Sequence, residues 1–334
     1  SNNNFENLLK NKSYSKSSIK TKNKVDLVVS PQTKSLADRL RGIRKVYVAK
    51  TSTSRDLEKN ERSREKFPDY DKVVVMRISD DAYKLIKKLR YKDITIPLSH
   101  FFKFIWRSMI GKIKVRKDMD FDILGLKIKN VNFEEVFDFN ENDYKRIKNL
   151  NIFKTKEKIV IIHTSSAWIM KLWSNDKWTE LIKRINASEK YRFVFIGTKE
   201  EKEDFQEISK KLDFRIYSLI NKLNLCDLML VLRSSNYLIG IDSGPKNMAY
   251  LADLRSITLL GPSGHLYKPF NNKDEVIDKS NAWDLYETFF YKKNRFVQSI
   301  TVDEVFNAFK RLVKNKPTTR YSSHHWKSRI SATE

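Results

Sequence analysis

The stretch Tyr237–Ala252, YLIGIDSGPKNMAYLA, decides the reading of the fold. It opens with five apolar or glycine residues of strand length and closes with residues suited to a helix. The junction carries Asp242, Ser243, Gly244 and Pro245. A buried strand that feeds a helix through a glycine turn is the building unit of a parallel α/β sheet. Pro245 suits the first turn of a helix, whose free N–H groups can seat a phosphate, and Lys246 adds a cation there. Asp242 or Ser243 would serve equally as an ordinary helix cap. The local pattern leaves both readings open.

Working outward, the same alternation recurs. On the N-terminal side lie the strand Ile159–Ile162, the helix Lys177–Ile185, the strand Arg192–Ile196 and the helix Glu201–Leu212. On the C-terminal side come the helix Lys246–Leu251, the strand Ile257–Leu260 and the amphipathic helix Thr301–Val313 with Thr301 as its cap. A first set precedes these: strands at Val25–Ser30, Lys45–Ala49, Lys72–Arg77 (read as buried) and Ile94–Pro97, with helical patterns at Leu36–Gly42 and Asp81–Leu89. Residues 1–24 read as a helical turn or two and a loop, Thr51–Lys66 as a charged surface excursion, and 130–157 as a joint around a helix with Tyr144, Ile147 and Leu150. The expectation is an α/β protein of two doubly wound domains, 1–150 and 151–314, with a tail at 315–334.

The chain has 334 residues, 66 Lys and Arg against 41 Asp and Glu, and a formal charge of +25. That surplus implies an anionic partner: nucleic acid, a phospholipid surface or a phosphorylated small molecule. A single cysteine, Cys226, excludes a disulfide framework and a thiolate zinc cluster, and fits a reducing compartment. No apolar run approaches the roughly 18 residues of a spanning helix, and the start lacks the apolar stretch of a signal peptide. The chain is therefore expected to be cytoplasmic.

Only eight glycines occur, and Gly197, Gly244 and Gly261 each follow the C-terminal end of an expected strand. In an open α/β sheet, ligands bind in the crevice outside those ends. A second loop there, HTSSAWIMKLW over His163–Trp173, brings Thr164, Ser165, Ser166 and Lys171. Such a loop can hold a diphosphate, although hydroxyl runs are more often ordinary turns.

Taken together, these segments resemble glycosyltransferase family 9, the ADP-heptose:lipopolysaccharide heptosyltransferases. The order matches over 156–314: a strand and hydroxyl loop leading to Lys171 and Trp173, then Gly197–Glu201 (GTKEE), the Asp242-Ser243-Gly244 turn, Gly261-Pro262-Ser263, and the closing Gln298–Val305. Tyr70–Arg77 and Met119–Gly125 also look like their counterparts. The resemblance implies a GT-B arrangement of two Rossmann-like domains, the first facing the acceptor and the second binding the nucleotide sugar. It implies Ser165, Ser166 and Lys171 on the donor diphosphate, Glu201 on the ribose, Leu223 on the adenine, and Asp242, Ser243 and Gly244 on sugar and phosphates. Lys171 would also be catalytic, stabilising charge that grows on the leaving diphosphate. Where the family has a histidine after the D-S-G turn, this chain has Asn247 preceded by Lys246, so Lys246 is expected to supply the charge and Asn247 a hydrogen bond.

The family's opening strand and K-x-S-S-x-G-D loop, whose aspartate is its proposed base, have no match before Val25, so the first domain is expected to lack that strand. Asp80 and Asp81, which follow a strand at its C-terminal end, then become the candidate base, with helix capping as their bland role. The expected activity is inverting, metal-independent transfer of heptose or a related sugar from ADP-heptose, without a further cofactor, to a lipopolysaccharide or lipooligosaccharide core. No D-x-D pair lies at the strand ends singled out above, and the D-x-D spacing within Asp118–Asp122 suits a helix onset. The basic and aromatic His100–Lys117 fits an interfacial element at an anionic bilayer, a core helix with solvated lysines, or a platform for single-stranded nucleic acid. The expected location is peripheral, on the inner face of a bacterial inner membrane, with an anionic glycolipid as acceptor. The rival readings are a non-catalytic binder of nucleotide sugar or glycolipid and, last, a nucleic-acid-binding protein.

Overall fold

The computed structural model describes residues 24–48, 67–75, 85–95, 133–166, 171–261, 274–279 and 296–314. Expectations for 1–23, Thr51–Lys66, Asp80 and Asp81, His100–Lys117, Asp118–Asp122 and the tail beyond 314 lie outside the described residues. The described residues divide into two compact units, one within 23–38 and 42–130, the other within 39–41 and 131–334.

In the first unit β1 (Val25–Val29) pairs in parallel with β2 (Ile43–Val48), and β3 (Asp69–Val74) with β4 (Arg90–Thr95). Between β1 and β2 runs α1 (Lys34–Ala37). The helix expected over Leu36–Gly42 thus stops at Ala37. Gly42 then takes φ +80°, a left-handed turn conformation that glycine enters without a steric cost. β3 starts earlier than its apolar core and is not buried throughout: Asp71 and Lys72 are exposed, and Lys92 reaches Asp71 at 2.7 Å. β4 likewise begins at Arg90, ahead of the expected Ile94. Asp26 on β1 accepts both guanidinium nitrogens of Arg44 at 2.7 and 2.5 Å and the Tyr70 hydroxyl at 2.9 Å. Arg44 above all, with Tyr70, holds its carboxyl below the usual carboxylate range despite burial.

The second unit opens with α2 (Phe133–Val136) and α3 (Glu141–Lys148). Residues 39–41 belong to it because Arg41 N donates to Val136 O at 2.8 Å and Arg39 forks onto both oxygens of Asp143 at 2.6 and 2.9 Å. Asn140 and Asp143 cap the start of α3 reciprocally.

Six parallel strands then form one sheet in the order β10-β9-β8-β5-β6-β7: β5 (Lys158–His163), β6 (Tyr191–Phe195), β7 (Tyr217–Ser218), β8 (Tyr237–Ile241), β9 (Arg255–Leu260) and β10 (Glu275–Asp278). Every residue of β8 is buried, as a central parallel strand covered on both faces requires. On one face α4 (Asn175–Ser188), α5 (Lys202–Lys210) and α9 (Val302–Lys314) enclose Trp178, Leu181, Ile185, Ile208 and Phe309 over Phe193, Phe195 and Ile257. On the other, α6 (Leu225–Arg233) packs on α7 (Gly244–Leu251), and α7 on β8 and β9. Short α8 (Phe296–Ser299) precedes Ile300, and Thr301 caps α9 in a reciprocal bond with Glu304.

Two elements, β7 and α6, lie between Leu212 and Tyr237, where the sequence reading has none. β7 is two residues long, and Leu225–Arg233 (LCDLMLVLR) is too uniformly apolar for its spacing to distinguish helix from strand. Asn224, whose side chain accepts from Asp227 N at 2.9 Å, starts the helix.

Candidate functional site

The chain runs outward from β5 to β6 and β7, then returns to place β8 on the other side of β5. The sheet order therefore reverses between β5 and β8, the switch point at which open α/β sheets bind ligands. At the C-terminal ends of those strands stand His163, the last residue of β5, followed by Thr164, Ser165 and Ser166 on one side, and Asp242, Ser243 and Gly244 on the other.

Asp242 is buried, and its carboxylate lies between two ammonium groups. Lys171 Nζ donates to Oδ2 at 2.7 Å and Lys246 Nζ to Oδ1 at 2.6 Å. Lys246 reaches it from the first turn of α7, four residues on. Lys171 comes from the loop after β5. Gly261, at the end of β9, makes room for its stem: a Cβ there would lie 3.0 Å from Lys171 Cγ. The same loop is fastened to α8 and the residue after it, since Trp173 Nε1 donates to Ile300 O at 2.9 Å and Gln298 Nε2 to Leu172 O at 3.0 Å.

Ser243 is the N-cap residue of α7, yet its side chain caps nothing. Its hydroxyl sits 3.2 Å from His163 Nδ1 and 3.3 Å from Ile241 O. With Asp242 turned to the lysines, the plain cap reading fails for both residues. The first N–H groups of α7 thus carry no side-chain cap, and a Cβ built on Gly244 meets no described atom within 4 Å. An uncapped helix start beside two ammonium groups has the chemistry of an anion seat.

His163 was not among the expected site residues, although it ends an apolar strand and begins the hydroxyl loop. It is buried, and desolvation lowers its pKa to about 4, so the ring is a neutral imidazole near pH 7. Its Nε2 stands 3.7 Å from Glu201 Oε1, beyond hydrogen-bond length, and a neutral ring makes no ion pair there. Because the unfolded chain binds a proton near pH 6.5 and the folded one only near 4, stability falls as pH drops through that window. The loss is expected to total about 3 kcal/mol once pH is below 4. Urea midpoints from pH 8 to pH 4 for wild type and His163→Gln should diverge over this interval; parallel curves would refute the assignment.

Glu201 is buried at 4% exposure, and its Oε2 accepts from Thr198 N at 2.7 Å and Thr198 Oγ1 at 2.9 Å, capping the turn that leads into α5. Leu223 is half-buried in the loop after β7, Ser165 and Ser166 are half-buried after β5, and Asn247 is exposed on α7. The candidate base residues Asp80 and Asp81 lie outside the described residues. Among the described residues, no group of three or more His, Cys, Asp or Glu side chains is placed to hold a metal ion.

The family model "Glycosyltransferase family 9 (heptosyltransferase)" matches residues 121–289, just over half of the chain. The chain belongs to glycosyltransferase family 9. It is a heptosyltransferase-like enzyme. Among curated proteins none matches it. Among solved structures it is similar to a family 9 glycosyl transferase from Veillonella parvula DSM 2008, with 15% identity and a TM-score of 0.67 over 87% of this chain and 88% of that one. It is also similar to Escherichia coli ADP-heptose lps heptosyltransferase II (14% identity, 87% and 89% covered, TM-score 0.54). A third is E. coli heptosyltransferase WaaC with ADP-2-deoxy-2-fluoro heptose (16%, 87% and 89%, TM-score 0.57). At such identities the likeness is one of fold: α/β with parallel sheets, matching the GT-B heptosyltransferases.

Proposed function

We propose that this family 9 enzyme transfers heptose or a related sugar from an ADP-activated donor to a lipopolysaccharide or lipooligosaccharide core, with inversion and without a metal. The observation that carries the donor half is the uncapped start of α7 beside Lys171, Asp242 and Lys246. A nucleotide-sugar diphosphate needs cationic charge and N–H donors, most of all while it leaves. The relatives support the choice of nucleotide, since one is an ADP-heptose transferase and another is held with an ADP-sugar.

In this reading residues 151–314 hold the donor and 1–150 face the acceptor. Ser165, Ser166 and Lys171 meet the diphosphate, Leu223 meets the adenine, and Asn247 offers a hydrogen bond. For Glu201 to meet the ribose, its carboxylate has to share its capping bonds. The acceptor hydroxyl oxygen bonds to the sugar's anomeric carbon as the bond from that carbon to the diphosphate breaks. The hydroxyl proton passes to a carboxylate, assigned to Asp80 or Asp81. Among the described residues no helix is long and apolar enough to cross a membrane. Contact with the inner face of the inner membrane rests on the +25 charge and an acidic lipid acceptor.

Calorimetric titration with ADP and an ADP-sugar tests the donor half. Lys171→Ala is expected to weaken binding by about 1.5–3 kcal/mol, tenfold or more, through loss of a charge-assisted contact. Equal binding by wild type and variant would remove Lys171 from the diphosphate.

A further inference from the structure

Sequence reading treats Lys246 as a second cation for the donor. The geometry points elsewhere, and the following rests on the donor reading above. We propose that Lys246 is a positioning residue that acts through Asp242: it keeps the buried carboxylate paired when Lys171 turns from Asp242 to the donor diphosphate.

The two lysines differ in reach. The Lys246 side chain is 4% exposed and its ammonium reaches back to Asp242, just before its own helix, while Lys171 is 12% exposed and arrives from a separate loop. Lys171 is the more exposed of the two. If Lys171 were the carboxylate's only cation, moving it onto a phosphate would strand a buried charge, which is strongly unfavourable. An unpaired Asp242 would also repel the incoming anion. With Lys246 fixed at 2.6 Å on Oδ1, Lys171 can exchange Oδ2 for a phosphate oxygen while Asp242 stays compensated. The second positive charge thus enables the exchange instead of touching the donor.

The experiment measures ADP-ribose binding to the full chain by calorimetry. ADP-ribose carries an esterified diphosphate whose charge is constant near neutral pH. Lys246→Met is expected to weaken binding about tenfold or more, and Lys246→Arg to remain within about threefold of wild type. The double variant Lys246→Met with Asp242→Asn is expected to recover most of the affinity, because it removes the charge that Lys246 compensates. A direct phosphate contact predicts instead that Lys246→Met costs as much affinity in an Asp242→Asn background as it does alone, whereas the positioning role predicts that the cost vanishes there.

Lys246→Gln replaces Lys246→Met if thermal melts show that the latter does not fold. Binding by the neutral variant within twofold of wild type, or a double variant no better than the single one, overturns the proposal while leaving the donor reading intact. Failure of the wild type to bind ADP-ribose overturns the donor reading and the proposal together.

Discussion

Asp242→Ala is expected to lower stability by about 3–5 kcal/mol, the range for breaking a buried ion pair from one side. Its carboxylate is the shared acceptor of two ammonium groups, at 2.7 Å from Lys171 and 2.6 Å from Lys246, and both lysines are largely inaccessible to water. Truncation leaves two like charges near each other and removes the anion that drew them together. Urea unfolding followed by circular dichroism measures the effect. A cost below about 1 kcal/mol, the scale of an exposed ion pair, would show that the cluster is solvated and its lysines independent. The triple change Asp242→Leu, Lys171→Met and Lys246→Met should return much of the stability, since replacing a whole buried ionic cluster by apolar residues is often neutral or better.

Gly197→Ala is expected to cost about 3 kcal/mol or more, from two sources. Gly197 has φ +150°, a region where side-chain-bearing residues are strained by roughly 1–3 kcal/mol. A Cβ there would also lie 2.5 Å from Glu201 Cδ and 2.6 Å from its Oε1, and overpacking of this kind costs typically about 1–3 kcal/mol. The carboxylate it would displace caps the turn into α5 through Thr198. Gly244→Ala is the matched control, because a Cβ at that position meets no described atom within 4 Å and its backbone is not left-handed. Its stability change should stay near zero or turn slightly favourable, as for alanine entering a helix. Equal losses in the two variants would contradict the crowding around Glu201.

Local pattern alone was enough for eight elements of the 156–314 half, while β7, α6, β10 and α8 escaped it. Strands β5, β6, β8 and β9, and helices α4, α5, α7 and α9, were each legible from an apolar run or an amphipathic period. That is so because a strand covered on both faces must be apolar throughout, and a surface helix must keep one apolar stripe. The glycines at strand ends were legible for a similar reason: Gly197 and Gly261 stand where another residue's side chain has to fit against the backbone. The first half was read less well. β3 and β4 carry charged, exposed residues at Asp69, Asp71, Arg90 and Lys92, so their apolar cores marked only their second halves.

What no local pattern contains is the partner of each polar side chain. Asp242 and Ser243 look like a helix cap in sequence because the cap is the nearest local use of those residue types. Lys171, 71 residues before Asp242, and His163, 80 before Ser243, take them instead. Glu201, suited by type to a ribose, is drawn into a cap three residues away. Residues 39–41 leave their sequence neighbours for Asp143 and Val136, about a hundred positions on. Chain order therefore determined which residues reach the crevice, since strand, turn and helix follow from short-range periodicity. Which of them pair was decided only when the parallel sheet brought the ends of β5, β8 and β9 together. Ion pairs and hydrogen bonds select partners by distance in space, and distance along the chain does not encode it.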